Sequence, residues 1–150
     1  DNVIASSYYG TKPAKNAIEA REKALDILNF TGLYEKRHDL SKDMGTPDQN
    51  RLEMARALAT NPEMLFLDEN MAGLNPTETD EAIQLIRRIN ESGVTIFLIE
   101  HIMKAVVSLC EDVIVLHHGE KIAVGTPEEV MNDPYVMEVY LGQKKEDAHA

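Results

Sequence analysis

The chain has no tryptophan, a single cysteine and only 5% aromatic residues among its 150 positions. With so few rings, any core it forms is aliphatic, with methionine as filler. The lone Cys110 excludes an intrachain disulfide and fits a reducing cytoplasm. Cations are also in short supply: 15 Lys and Arg against 26 Asp and Glu leave a formal charge of −11. That sign argues against nucleic acid as a partner, because phosphate backbones are bound by clustered Lys and Arg. It argues equally against electrostatic adhesion to anionic lipid. No apolar run approaches the length of a membrane span, so direct membrane insertion is not expected. The chain opens Asp1-Asn2 with no basic leader, and the missing initiator Met suggests either an engineered start or an internal fragment. No solenoid-type repeat is visible.

What remains suits one domain: 43% hydrophobic content is enough for a core. The chain is organised around residues 63–76, which read E-M-L-F-L-D-E-N-M-A-G-L-N-P. Met64, Leu65, Phe66 and Leu67 form an unbroken apolar run, expected as a strand buried on both faces in a parallel sheet. Asp68 and Glu69 follow without a spacer. Parallel sheets bind ligands beyond the carboxyl ends of their strands. Two acids placed there can divide phosphate chemistry, one holding Mg²⁺ and the other orienting or deprotonating a water. The plainer alternative is a core strand whose terminal acids are merely solvated.

Periodicity and caps place the other elements. Residues 1–13 read as irregular, with Tyr8 and Tyr9 in ordinary packing. Residues 14–30 form a helix with Ile18, Ala24, Leu25 and Leu28 on one face, closed by Gly32. Residues 33–43 form a short turn or helix. Thr46-Pro47-Asp48-Gln49 predicts a helix start, with Thr46 as cap, Pro47 at the first position and Gln49 completing a capping box. That helix runs to about Thr60, with Leu52, Ala55 and Leu58 inward, and Asn61-Pro62 stops it. The same device opens helices at Asn75-Pro76-Thr77-Glu78, Thr126-Pro127-Glu128-Glu129 and Asp133-Pro134. The first of these runs to about Asn90 with Ala82, Ile86 and Ile89 inward. Residues 94–99 form a second buried strand ending in Glu100-His101. Residues 102–110 are helical, and residues 113–116 and 121–124 form a hairpin or edge pair around His118-Gly119. His117 and His118 have no acid or Cys at metal spacing and read as turn residues.

Four segments carry a resemblance: R-L-E-M-A-R-A-L-A-T-N-P (51–62), L-F-L-D-E with A-G-L-N-P-T-E-T (65–79), T-I-F-L-I-E-H (95–101) and G-E-K-I-A-V-G-T-P-E-E-V (119–130). In this order and spacing the chain resembles the ATP-binding cassette ATPases, and among them the subunits of branched-chain amino-acid importers. The match is to the later part of the domain. It implies an α/β fold: a helical subdomain followed by part of a P-loop NTPase (RecA-like) parallel sheet with flanking helices. It implies three regions: 1–60, a helical subdomain including the signature-position loop and helix; 61–142, a partial nucleotide-hydrolase core; and 143–150, a disordered tail.

The resemblance also implies roles. Asp68 would help hold Mg²⁺, Glu69 would polarise the attacking water, and His101 would contact the γ-phosphate of ATP. Asn75 lies in the loop that crosses to a second ATPase subunit. The implied partners are that subunit and membrane permease subunits, with the chain cytoplasmic and peripheral on the inner face of the plasma membrane. Two departures stand against activity. No G-x-x-x-x-G-K-[ST] occurs, so the loop that cradles phosphates is not encoded in these residues. The family's signature falls on Met44-Gly45-Thr46-Pro47-Asp48, where Pro47 removes an amide and Asp48 adds a carboxylate to the place meant for phosphate. Asn70 also replaces the proline usual after the paired acids, and Ile102 a common aspartate after the histidine. The expected function is the later part of an importer's ATP-hydrolysing subunit, inactive by itself. The alternative is a non-catalytic interaction module that keeps the fold. An unrelated metal-dependent phosphatase using Asp68 and Glu69 is a third reading.

Overall fold

A computed structural model describes residues 1–141; the tail expected at 143–150 lies outside the described residues. The chain divides into two compact units, Asp1–Glu100 and His101–Ala150.

The first unit opens with three helices. α1 (Asn2–Ser6) replaces the irregular start expected there. At five residues it is too short to show a period, and it is held by burial of Val3. α2 (Ala17–Phe30) begins at Asn16, whose side chain accepts from the amides of Ile18 and Glu19. Its inward residues are Ala20 and Ala24, whereas Ile18 stays 72% exposed, contrary to expectation. Ile18 sits in the first turn, ahead of the segment that meets the neighbouring helices. α3 (Thr46–Leu58) completes the group. Val3, Ala24, Ala55 and Ala59 pack together, flanked by Ile4, Ile27, Leu28 and Leu52. Small residues at the centre let the three backbones approach closely. The chain between α1 and α2 is clipped to the end of α3. Thr11 N–H donates to Thr60 O at 3.1 Å, and Thr11 Oγ1 to Asn61 O at 2.6 Å. Gly10 has φ 92° there, and a Cβ on it would lie 1.9 Å from Thr60 O, so no other residue fits. The expected packing of the adjacent tyrosines is not found: Tyr9 is 70% exposed.

Two short 3₁₀ turns, Tyr34–Lys36 and Ser41–Asp43, fill the segment before α3. After it come β1 (Met64–Asp68), α4 (Pro76–Glu91) and β2 (Thr95–Ile99). β1 and β2 pair in parallel, with Phe66 opposite Phe97 and Asp68 opposite Ile99. This is a β-α-β unit, and its crossover helix α4 packs against β2 and buries Ala82, Ile83, Leu85, Ile86 and Ile89. The expectation that β1 is buried on both faces is corrected. Leu65 and Leu67 are buried, but Met64, Phe66 and Asp68 are exposed. Phe66 is 65% and Phe97 47% exposed, with ring centroids 5.1 Å apart. The run is apolar enough for two covered faces, and only one is covered in this chain.

The second unit contains α5 (Met103–Leu109), β3 (Val113–His117), β4 (Glu120–Gly125), α6 (Pro127–Met131) and α7 (Pro134–Val136), followed by a wide turn over Met137–Leu141. β3 and β4 form an antiparallel hairpin. His118 and Gly119 make its two-residue turn at φ 48° and 82°; His118 is a turn residue as expected, whereas His117 ends β3, opposite Glu120. α6 packs on both strands, and the Tyr140 hydroxyl donates to Leu116 O. Among the described residues the strands form two two-stranded sheets, β1–β2 in the first unit and β3–β4 in the second.

Candidate functional site

The carboxyl edge of the β1–β2 pair is where the sequence placed its chemistry. Asp68 ends β1, and Glu69 follows it with φ 48°. Glu69 N–H donates to Ile99 O at 2.9 Å, extending the ladder one residue past the end of β1. Both acids are exposed to solvent. The chain then makes a tight turn: Ala72 N–H donates to Glu69 O at 3.0 Å, Leu74 N–H to Met71 O at 3.3 Å, and Gly73 has φ 77°. Met71 is fully buried under this turn. Its amide donates to Glu100 Oε1 at 3.0 Å. Asn50 of α3 donates from Nδ2 to Asn70 O at 2.6 Å, and the buried Oδ1 of Asn70 has no hydrogen-bond partner.

Asn75 closes the turn and starts α4. Its Oδ1 accepts from Glu78 N–H at 3.0 Å, while its own N–H donates to Glu78 Oε2 at 2.8 Å. This is the expected capping box, and it leaves Asn75 at the exposed end of the loop. His101, the residue after Glu100, is the exposed first residue of the second unit.

The start of α3 differs from expectation. Gly45, not Thr46, is the N-cap, with ψ 164°, and no side chain caps the helix. With Gly45 in the extended conformation, Thr46 lies inside the first turn. Gln49 reaches back past it, donating from Nε2 to Met44 O at 2.9 Å. The amides of Asp48 and Gln49 both donate to Gly45 O. Pro47 has no amide to offer. The Asp48 carboxylate is paired with Lys36. A shallow groove beside Gly45 is lined by Asp39, Asp43 and Asp48, with Lys36 the single cation. Capping is therefore not what occupies this helix start; carboxylates surround it instead.

Mg²⁺ takes one or two carboxylates from protein and the rest of its shell from phosphates and water. Asp68 and Glu69 fit that share. Among the described residues no group of three or more His, Cys, Asp or Glu could hold a metal ion. Reading the sequence missed Glu100, Asn50 and Lys36. Glu100 had a signal, an acid directly after a strand; Asn50 and Lys36 had none.

The family described as "Branched-chain amino acid ATP-binding cassette transporter" matches residues 120–146. The chain is 44% identical over 126 residues to the high-affinity branched-chain amino acid transport ATP-binding protein LivG of Salmonella typhimurium, covering 83% of this chain and 49% of LivG. It is 41% identical over 143 residues to the corresponding protein BraF of Pseudomonas aeruginosa, covering 95% of this chain and 56% of BraF. Among solved structures, the ADP conformation of MJ1267, an ATP-binding cassette of an ABC transporter, superposes with a TM-score of 0.76. It is 28% identical, covering 91% of this chain and 54% of MJ1267. The chain spans about half the length of the curated relatives it matches. The β-α-β unit whose first strand ends in paired acids, with these similarities over nearly the whole chain, makes it part of a domain of the ATP-binding cassette ATPase family, of the branched-chain amino-acid transporter type.

Proposed function

We propose that this chain is the later part of the ATP-hydrolysing subunit of an importer for branched-chain amino acids. The observation that carries the reading is the carboxyl edge of β1–β2, where Asp68 and Glu69 end a parallel strand. Its identity of 41–44% to LivG and BraF supports the transport class. In the assembled domain Asp68 would take a share of Mg²⁺, Glu69 would polarise water, and His101 would meet the γ-phosphate. Gly45, Thr46, Pro47 and Asp48 would present the signature side to a nucleotide held by a second ATPase subunit, with Asn75 in the crossing loop. Residues 1–60 would form the subdomain against the permease, and residues 61–142 the hydrolase core. The location is the cytoplasmic face of the membrane, reached through the permease; no described helix is long and apolar enough to cross.

By itself the chain neither binds Mg-ATP tightly nor turns it over, because these 150 residues encode no phosphate loop. Calorimetric titration with Mg-ATP and a phosphate-release assay test this. No heat of binding and no release are expected. Micromolar affinity, or turnover that Glu69→Gln abolishes, would overturn it.

The second reading, a non-catalytic module, is favoured by one observation: the acid-lined groove at Gly45 beside a proline that offers no amide. Losing one donor to a developing charge costs on the order of 10²–10³ in rate, by analogy with oxyanion holes. In the assembled ATPase, Pro47→Gly with Asp48→Gln is expected to raise turnover. No rise would mean that these residues do not form the signature.

A further inference from the structure

Glu69 holds φ 48°, a left-handed conformation that a glutamate keeps only when its surroundings fix it. The ladder fixes one side, through Glu69 N–H and Ile99 O. The next residue, Glu100, fixes the other: its Oε1 accepts the Met71 amide at 3.0 Å. Consecutive residues leaving β2 therefore clamp alternate residues leaving β1. A solvated strand-end acid would be the ordinary reading of Glu100. It is instead half-buried and engaged with a backbone donor of a buried residue. A carboxylate acceptor makes such a bond roughly twice as strong as a neutral one. A second bond reaches the same turn from α3, where Asn50 Nδ2 donates to Asn70 O.

We propose that Glu100 is a positioning residue: by accepting the Met71 amide it holds the 69–74 turn, and so keeps Glu69 in its left-handed conformation at the carboxyl edge of the sheet. Its consequence for catalysis rests on the reading of Glu69 as the water-polarising carboxylate. The geometric claim does not, and it is tested without nucleotide.

The test is NMR of the full 150-residue chain, isotopically labelled. In the unsubstituted chain the Met71 amide is expected to be protected from exchange. Glu100→Gln keeps an acceptor oxygen but no charge, so Met71 protection persists. Glu100→Ala should speed Met71 amide exchange about tenfold or more and shift the Glu69 Cα and Cβ signals away from left-handed values. Amides of the β1–β2 ladder should be unchanged. A Met71 amide that exchanges unprotected in the unsubstituted chain overturns the proposal, and this arm needs no variant to fold. Equal Met71 exchange in Glu100→Ala and the unsubstituted chain also overturns it. A negative result here leaves the ATPase reading standing, and an inactive assembled domain leaves a positive result intact.

Discussion

Helices α3 and α4 both carry a proline in the first turn, yet only α4 closes its own start. Asn75 and Glu78 exchange side-chain and backbone bonds across the first turn of α4. At α3 the corresponding acid, Asp48, is drawn sideways to Lys36, and the cap position is a glycine with nothing to offer. The inward faces differ as well. α4 buries four large aliphatic side chains, Ile83, Leu85, Ile86 and Ile89; α3 buries Met54 and Ala55. One helix is locked by its sequence at end and face alike. The other is held by close backbone packing and leaves its N-terminus to solvent and to whatever meets it.

The largest test of this contrast is in the cores. Ile89 is fully buried on α4. Ile89→Ala is expected to cost about 2–5 kcal/mol in urea denaturation, as for other aliphatic truncations. A cost below about 1 kcal/mol would show that α4 is no better anchored than an exposed helix. Next come the caps. Asn75→Ala should cost about 1 kcal/mol. Thr46→Ala should stay within about 0.5 kcal/mol, since the Thr46 side chain caps nothing. Equal losses at the two sites would restore the capping box expected from Thr46 and Gln49.

The caps also show what the sequence could and could not say. Asn75, Thr126 and Asp133 cap as expected, because a polar residue before proline has one good geometry and a local partner within it. At Thr46 the same signal failed, because a glycine immediately before it took the extended position. The strand Met64–Asp68 and its terminal acids were legible from the apolar run and the two carboxylates. Its bare face was not, since sequence reports what a strand can bury and not what the chain supplies to cover it. Helix α1 escaped because five residues carry no period. The φ of 48° at Glu69 was illegible for a different reason: glutamate has no left-handed preference, and the conformation is imposed by contacts with Ile99 and Glu100 from about thirty residues away.

A smaller change would sharpen the contrast by supplying what α3 lacks. Gly45 has φ −71°, and a Cβ there would meet only Pro47 Cδ at 3.8 Å, an ordinary contact. Gly45→Ser should therefore gain a few tenths of a kcal/mol, roughly the difference between glycine and serine as caps. Calorimetric melting would register this as a small rise in Tm. A fall in Tm would mean that the glycine is needed for close approach and not merely left uncapped.

The smallest effect concerns pH and the third helix start, α6. Glu129 completes a box with Thr126, accepting Thr126 N–H at 2.8 Å and the hydroxyl at 3.0 Å. The backbone bond chiefly, then the hydroxyl, hold its carboxyl below the usual carboxylate range, with desolvation opposing them. A lowered folded pKa means that the stabilisation is fully present above the unfolded value of 4.5 and is lost as pH falls through the lower folded value. The box of α6 should therefore be indifferent to pH near neutrality and loosen only in acid. NMR titration of the Thr126 and Glu129 amides would follow this, with Glu129→Gln as reference, since it retains an acceptor and removes the titration. A transition that survives Glu129→Gln would assign the acid sensitivity to another group and break the link between box and pH.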